Sequence, residues 1–224
     1  MEPSPGSGPG GVSPRFWSLL TEEALGPMSV LDVGTGSGRI ALALAPRCRR
    51  VVGIDREPDL IAEARQRAAG AGLTNVDFVV ADADHVEYDE PGDDVHIEPD
   101  LVVAHLFLSD AMVQRASRAL PPGKALAFVG FHVDQWRETG RPSRFAYDED
   151  RLRRSLAECA FAVEHLEVER EVREFTTVEE GLAAAIGLAE RWRADGRWFN
   201  YIKFLERGGR TLTRSHLIVK ARRR

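Results

Sequence analysis

A chain of 224 residues, 43% hydrophobic and 29% charged, has an ordinary globular composition and enough length to bury a sizeable core. No run approaches the ~20 apolar residues of a membrane span, so no membrane partner is expected. The net charge of −5 is uneven: from Arg191 onward eleven Lys or Arg face two acids, Asp195 and Glu206, giving +9, while the remainder carries −14. Such asymmetry suits a nucleic-acid surface, or merely a solvated basic end in a chain that uses 27 Arg and 3 Lys.

The chain opens on MEPSPGSGPGGVSP, which has neither a basic stretch nor an apolar run. It reads as a flexible arm over residues 1–14 and not as a secretory signal. Two cysteines, Cys48 and Cys159, match neither metal spacing nor a disulfide framework. The expectation is a cytoplasmic protein with free thiols and no metal site. A helical stretch around Phe16 and Trp17, reaching toward Leu25, follows the arm.

The apolar run Met28 to Val33 then meets glycines at 34, 36 and 38, in VLDVGTGSGRI. No Lys-Ser or Lys-Thr follows them, which excludes a P-loop. RIALALAPRC reads as a helix stopped near Pro46, VVGID (51–55) as a strand, and PDLIAEARQRAAGAG as a helix with Pro58 in its first turn. VDFVVADA (76–83) is the third strand, an acidic loop runs from Asp84 to Glu98, and LVVAHLFL (101–108) is the fourth strand. A helix over 109–120, a Pro-Pro-Gly break and the strand ALAFVGF (125–131) complete the pattern. Apolar strands alternating with helices predict a doubly wound α/β fold with a mostly parallel sheet.

The last third differs. Residues 148–160 read as a helix, and 162–175 alternate with period two. Thr177 followed by Glu180 is a capping-box pattern opening a helical stripe that includes Val178, Leu182 and Trp192. RWFNYIKFLER is a second helix, and TLTRSHLIVKA (211–221) a final strand.

A strand, a glycine-rich turn and a helix form a nucleotide site in several families, because the bare backbone approaches a ligand closely. Gly36-Ser-Gly38-Arg-Ile-Ala41 even satisfies the dinucleotide spacing. Asp55 ends the second strand, where a carboxylate can accept ribose hydroxyls and repel a 2′-phosphate. Asp82-Ala83 ends the third, where a carboxylate can accept from an adenine amino group.

VLDVGTGSG, VVGID, VDFVVADA, PDLVVAHL and LPPGKALAF together resemble the successive motifs of class I S-adenosylmethionine-dependent methyltransferases, over roughly residues 28–131. The resemblance implies a seven-stranded sheet whose last strand is antiparallel, in one domain over 15–224, with S-adenosyl-L-methionine as cofactor. It implies that Gly34, Thr35 and Gly36, with Gly38 in the same turn, face the methionine end. Asp32 corresponds to the family's acid near the ammonium, Asp55 to the ribose acceptor, Arg56 to a neighbour of the adenine, and Asp82 with Ala83 to its readers. The fourth-strand end, Val103-Ala104-His105-Leu106, would lie by the methyl group.

An Asn/Asp-Pro-Pro-aromatic sequence and a Pro-Cys nucleophile are both absent, which weakens DNA-base methylation. His105 is the candidate general base, and it also lies by the cofactor. His132, at the end of the neighbouring fifth strand, is a second candidate expected to share its pocket. The family joins its last two strands by a short turn; here 176–210 intervene, so a helical insertion at the cofactor edge is expected, as a lid or a dimer interface. Trp198 and Tyr201, among the basic residues of that insertion, are candidate substrate contacts. The reading is a methyltransferase with a small-molecule acceptor. Alternatives are an RNA or protein methyltransferase, a non-catalytic cofactor-binding protein, or an NAD-dependent oxidoreductase. The oligomeric state is not indicated.

Overall fold

The structure, a computed structural model, describes residues 8–92 and 94–224. The first seven residues of the expected arm therefore lie outside the described residues. Residues 15–224, expected as one domain, divide into two compact units. One runs up to Gly130 and includes Asp150–Glu167 and Ile218–Arg224; the other comprises Phe131–Glu149 and Val168–Leu217.

The first unit opens with α1 (Pro14–Thr21), where Pro14 occupies the first turn and the Ser13 side chain accepts from Phe16 N. It continues with β1 (Ser29–Val33), α2 (Arg39–Leu44), β2 (Arg50–Asp55), α3 (Pro58–Gly70), β3 (Val76–Val80), β4 (Leu101–His105) and α4 (Asp110–Ala119). The Ser109 side chain caps α4 by accepting from Met112 N. The strand β5 (Ala125–His132) follows, then β6 (Ala146–Tyr147), α5 (Glu149–Glu158) and β7 (Phe161–Glu174). The chain ends with α6 (Val178–Ala185), α7 (Ala189–Asp195), α8 (Arg197–Glu206) and β8 (Thr211–Arg223).

The sheet runs β3-β2-β1-β4-β5-β8-β7. The pairs β1 with β2, β1 with β4, β2 with β3 and β4 with β5 are parallel. The strand β8 is antiparallel to both its neighbours. In the first unit Arg223 bonds to Gly123 and Lys124 at the start of β5, and Arg224 to Ala160 before β7. In the second, Trp136 N donates to Thr213 O, and Phe175 N to Arg210 O at the far ends of the same strands. The expected α/β fold with its antiparallel end is therefore present. Among the described residues the sheet has eight strands and not seven. The extra one is β6, two residues parallel to Phe131 and His132, too short to leave a sequence pattern.

Alternation sorts the site residues onto faces. Val30 on β1, Val51 on β2, and Leu101 and Val103 on β4 pack in one core with Phe16, Ile40, Ile61 and Ala64 from the first three helices. Asp32, two residues beyond Val30, and His105, two beyond Val103, lie on that same face. Leu31, Val33, Val102 and Ala104, on the opposite face, are also fully buried. A sheet covered on both sides explains why these strands read as continuous apolar runs.

The second unit has its own core: Trp136, Phe175, Trp192, Trp198, Tyr201, Leu205 and Leu212 pack together. Trp192 meets Trp136 and Tyr201 edge-on, with ring centroids 5.3 and 5.6 Å apart. The capping box is present with one shift. Thr177 accepts from Glu180 N (3.2 Å), but Glu180 reaches back to Thr176, whose N and Oγ1 donate to its Oε2 at 2.8 and 2.7 Å.

Candidate active site

The glycine turn after β1 is held from both sides by carboxylates. Asp32, buried beneath it, accepts from Thr35 Oγ1 at 2.6 Å and from Ala41 N of α2 at 3.1 Å, both on Oδ2. Burial, opposed by those two hydrogen bonds and aided by the negative Asp55, pushes its carboxyl up to about 7. Asp55 at the end of β2 accepts from Gly36 N (2.9 Å) on one oxygen and from Glu57 N (3.0 Å) on the other. Each oxygen keeps lone-pair capacity for a ribose hydroxyl. Thr35 N in turn donates to Ile54 O, tying the turn to β2.

The glycines have distinct reasons. Gly36 adopts φ 55°, and a Cβ there would meet nothing within 4 Å, so the turn faces open space. Gly38, with φ 83°, forms the N-cap of α2, and a Cβ there would lie 2.9 Å from Phe78 and 3.2 Å from Ala64. A fourth, Gly53 within VVGID, lies opposite Asp32; a Cβ on it would collide with Phe78 and with Thr35 Oγ1 at 2.7 and 2.8 Å. That glycine clears the path by which Thr35 reaches Asp32, a role sequence reading had not assigned.

After β3, the oxygens of Asp82 take Asp84 N (3.0 Å) and His85 Nδ1 (3.2 Å). The Asp84 amide, with His85 adding to it, holds the Asp82 carboxyl below the usual range. Ala83 is buried, and its carbonyl accepts from the Tyr88 hydroxyl at 3.1 Å. An open groove lined by Val80, Ala81, Asp82, His85, Glu90 and Asp94 lies alongside. Arg56 pairs with Glu57 (3.2 Å) and is largely exposed.

His105 ends β4, and the ring of Phe16 from α1 lies against it, centroids 6.1 Å apart. The next residue, Leu106, has φ 61° and is 39% exposed; its amide donates to Val129 O on β5 at 2.8 Å. A left-handed leucine is strained and persists only where its surroundings hold it. Phe107 closes the other side, its Cβ 3.2 Å from where Gly34 would carry one. The first unit thus gathers Asp32, Gly34, Thr35, Gly36, Gly38, Asp55, Arg56, Asp82, Ala83 and His105 at strand ends and the turns that follow them.

The remaining candidates lie in the second unit. His132 is buried. The Asp134 amide (3.2 Å) can only donate, so Nδ1 accepts, shared with Ser215 Oγ at 3.0 Å, and Nε2 carries the proton toward Glu149 (3.2 Å). Both ring nitrogens are engaged by the protein, and His132 belongs to a network that sequence reading missed. There Gln135 accepts from Ser215 N, and Glu138 from Thr213 N and Oγ1. These side chains cap amides of β8.

Tyr201 is fully buried, with its hydroxyl donating to Gly181 O and Thr211 O, and Trp198 is 8% exposed. Against the expectation of substrate contacts, both are core residues, because α6–α8 need them to cover one another. Phe199, at 59% exposure, is the aromatic of α8 that faces solvent. Among the described residues no cluster of His, Cys, Asp or Glu could hold a metal ion, and no helix is long and apolar enough to cross a membrane.

The mostly parallel sheet thus carries a glycine turn after β1, with carboxylates near the end of β1, at the end of β2 and just after β3. A family model described as a methyltransferase domain matches residues 26–180, and the chain belongs to that family. A protein-L-isoaspartate O-methyltransferase of Magnetococcus marinus is 47% identical over 55 residues, 25% of this chain and 24% of that protein. The release factor glutamine methyltransferase of Escherichia coli is 38% identical over 71 residues, 28% and 25% of the two chains. The matches thus span about a quarter of these relatives' lengths. Among solved structures, an S-adenosylmethionine-dependent methyltransferase from Mesorhizobium loti has a TM-score of 0.58 at 20% identity, covering 92% of this chain and 97% of that one. The [4+2]-cyclase SpnF superposes as well, with a TM-score of 0.64, 24% identity and coverage of 93% and 80%. These likenesses show the fold; the last belongs to a protein named for a different reaction.

Proposed function

We propose that this chain transfers a methyl group from S-adenosylmethionine to a small-molecule acceptor. The observation that carries the reading is the set of three carboxylates, Asp32 near the end of β1, Asp55 at the end of β2 and Asp82 just after β3, around an open Gly36. Their chemistry suits the cofactor: a buried acid for a cationic amino-acid end, a strand-end acid for ribose hydroxyls, and a third for an adenine amino group. A Cβ at Gly36 would fill the space the ligand needs.

When bound, the cofactor supplies an electrophilic methyl on sulfur. What this chain must do is hold the acceptor in line and, where its nucleophile carries a proton, remove it. His105, oriented by Phe16 on the face that also carries Asp32, is the base within the first unit. Leu106 adds an apolar wall beside it. The burial of Trp198 and Tyr201 favours a small acceptor over a nucleic acid stacked on the insertion. The names of the short matched relatives support a second reading, in which the acceptor is a protein or RNA.

Methyl-labelled cofactor incubated with separate pools of small metabolites, RNA and protein tests the proposal. Label is expected in the low-mass pool; label in RNA or protein overturns the acceptor class, and no transfer with tight cofactor binding favours a non-methylating use of the fold. In His105→Ala, cofactor affinity should stay within a few fold while turnover falls strongly. Unchanged turnover removes His105 from the mechanism.

A further inference from the structure

Beneath the glycine turn, near the end of β1, lies a carboxylate that pairs with no positive group among the described residues. Asp32 is 1% exposed, and its two hydrogen bonds come from neutral donors, the Thr35 hydroxyl and the Ala41 amide. Its register neighbours are Gly53 on β2 and Val103 on β4, neither charged. Arg39, opening α2, is exposed, and His105 stands two residues beyond Val103. The charge whose field raises the Asp32 pKa is Asp55, also negative. An isolated buried carboxylate is costly to ionise, and a group so placed takes up a proton instead. With the proton on Oδ1, Oδ2 still accepts from Thr35 and Ala41, so the turn stands in the free protein.

We propose that Asp32 is a positioning residue coupled to a proton: seating the cationic methionine end of S-adenosylmethionine against the turn expels a proton from Asp32 to solvent. The carboxylate then pins Thr35 and the start of α2 beneath the ligand. The inference rests on the cofactor reading above, and it adds that cofactor affinity is set by pH through this one side chain. It also accounts for Gly53, whose missing side chain lets the Thr35 hydroxyl reach the carboxylate.

Calorimetry of S-adenosylmethionine binding at pH 6.5, in two buffers of different ionisation enthalpy, reads the released proton directly. Between about half and one proton should leave per site, and affinity should be roughly tenfold weaker at pH 6 than at pH 8. Both effects should vanish in Asp32→Asn and persist in His105→Asn, which separates Asp32 from the other titrating group of the site. If Asp32→Asn fails to fold, the carboxyl carbon resonance of Asp32 in the wild-type protein replaces it. That resonance should titrate in the free protein and report the ionised form once the cofactor is bound. Binding without proton release, release that survives Asp32→Asn, or a carboxyl resonance unmoved by the cofactor overturns the proposal. Failure to bind at any pH overturns the cofactor reading instead.

Discussion

Asp32 carries a cost of burial and Leu106 a conformational cost at the same sheet edge, and each makes a measurable demand. Asp32 has its carboxyl raised from an ordinary 3.8 to about 7. A raised carboxyl favours the folded state while protonated, so its contribution is fully present below about pH 4 and is lost as pH rises through about 7. Thermal melts of the ligand-free protein should show that slope, and Asp32→Asn should flatten it. Leu106 holds a left-handed backbone that glycine adopts freely. Leu106→Gly should be neutral or stabilising by up to about 1 kcal/mol, and Leu106→Val destabilising, by chemical denaturation. Gly36→Ala should cost about 1 kcal/mol in stability, since only its φ resists, but far more in cofactor affinity. The positions of the acids and the bare backbone of the glycine turn were legible beforehand; the left-handed Leu106 and the burial of Asp32 were not. That Asp55 also receives the Gly36 amide, or that Gly53 makes room for Thr35, depends on distances across strands, which sequence order does not contain.

At the scale of elements, the strands and helices of the first unit were legible because their apolar periods follow from burial on both sides of a parallel sheet. The insertion was legible as helices but not in its use of aromatics. A tryptophan or tyrosine on an apolar stripe has the same period whether it stacks on a ligand or fills a core, and α6–α8 supply a core. Trp192→Ala should therefore destabilise the protein by about 3–5 kcal/mol, while Phe199→Ser should leave the melting temperature nearly unchanged. Thr177→Ala, removing the α6 cap, should cost about 1 kcal/mol. The β8 caps from Gln135 and Glu138 left no signal, since loop side chains that replace a neighbouring strand have no period.

Over the whole molecule, short motifs on successive strands mean more together than any one of them, and those that close β1, β2, β3 and β4 meet at one edge, because a doubly wound sheet brings those strand ends together. The glycine spacing alone admitted a dinucleotide; the acids at the end of β2 and just after β3 and the family match at residues 26–180 favour the methyl donor. The acceptor stays a proposal, since a chain of this fold is also named as a cyclase. The most direct test of the central claim is a calorimetric titration of the protein, and of Asp55→Ala, with S-adenosylhomocysteine and with NAD. Saturable one-site binding of S-adenosylhomocysteine is expected, with its loss in an Asp55→Ala variant that still melts cooperatively, and no heat with NAD. Binding of NAD without S-adenosylhomocysteine, or binding indifferent to Asp55, would contradict the claim.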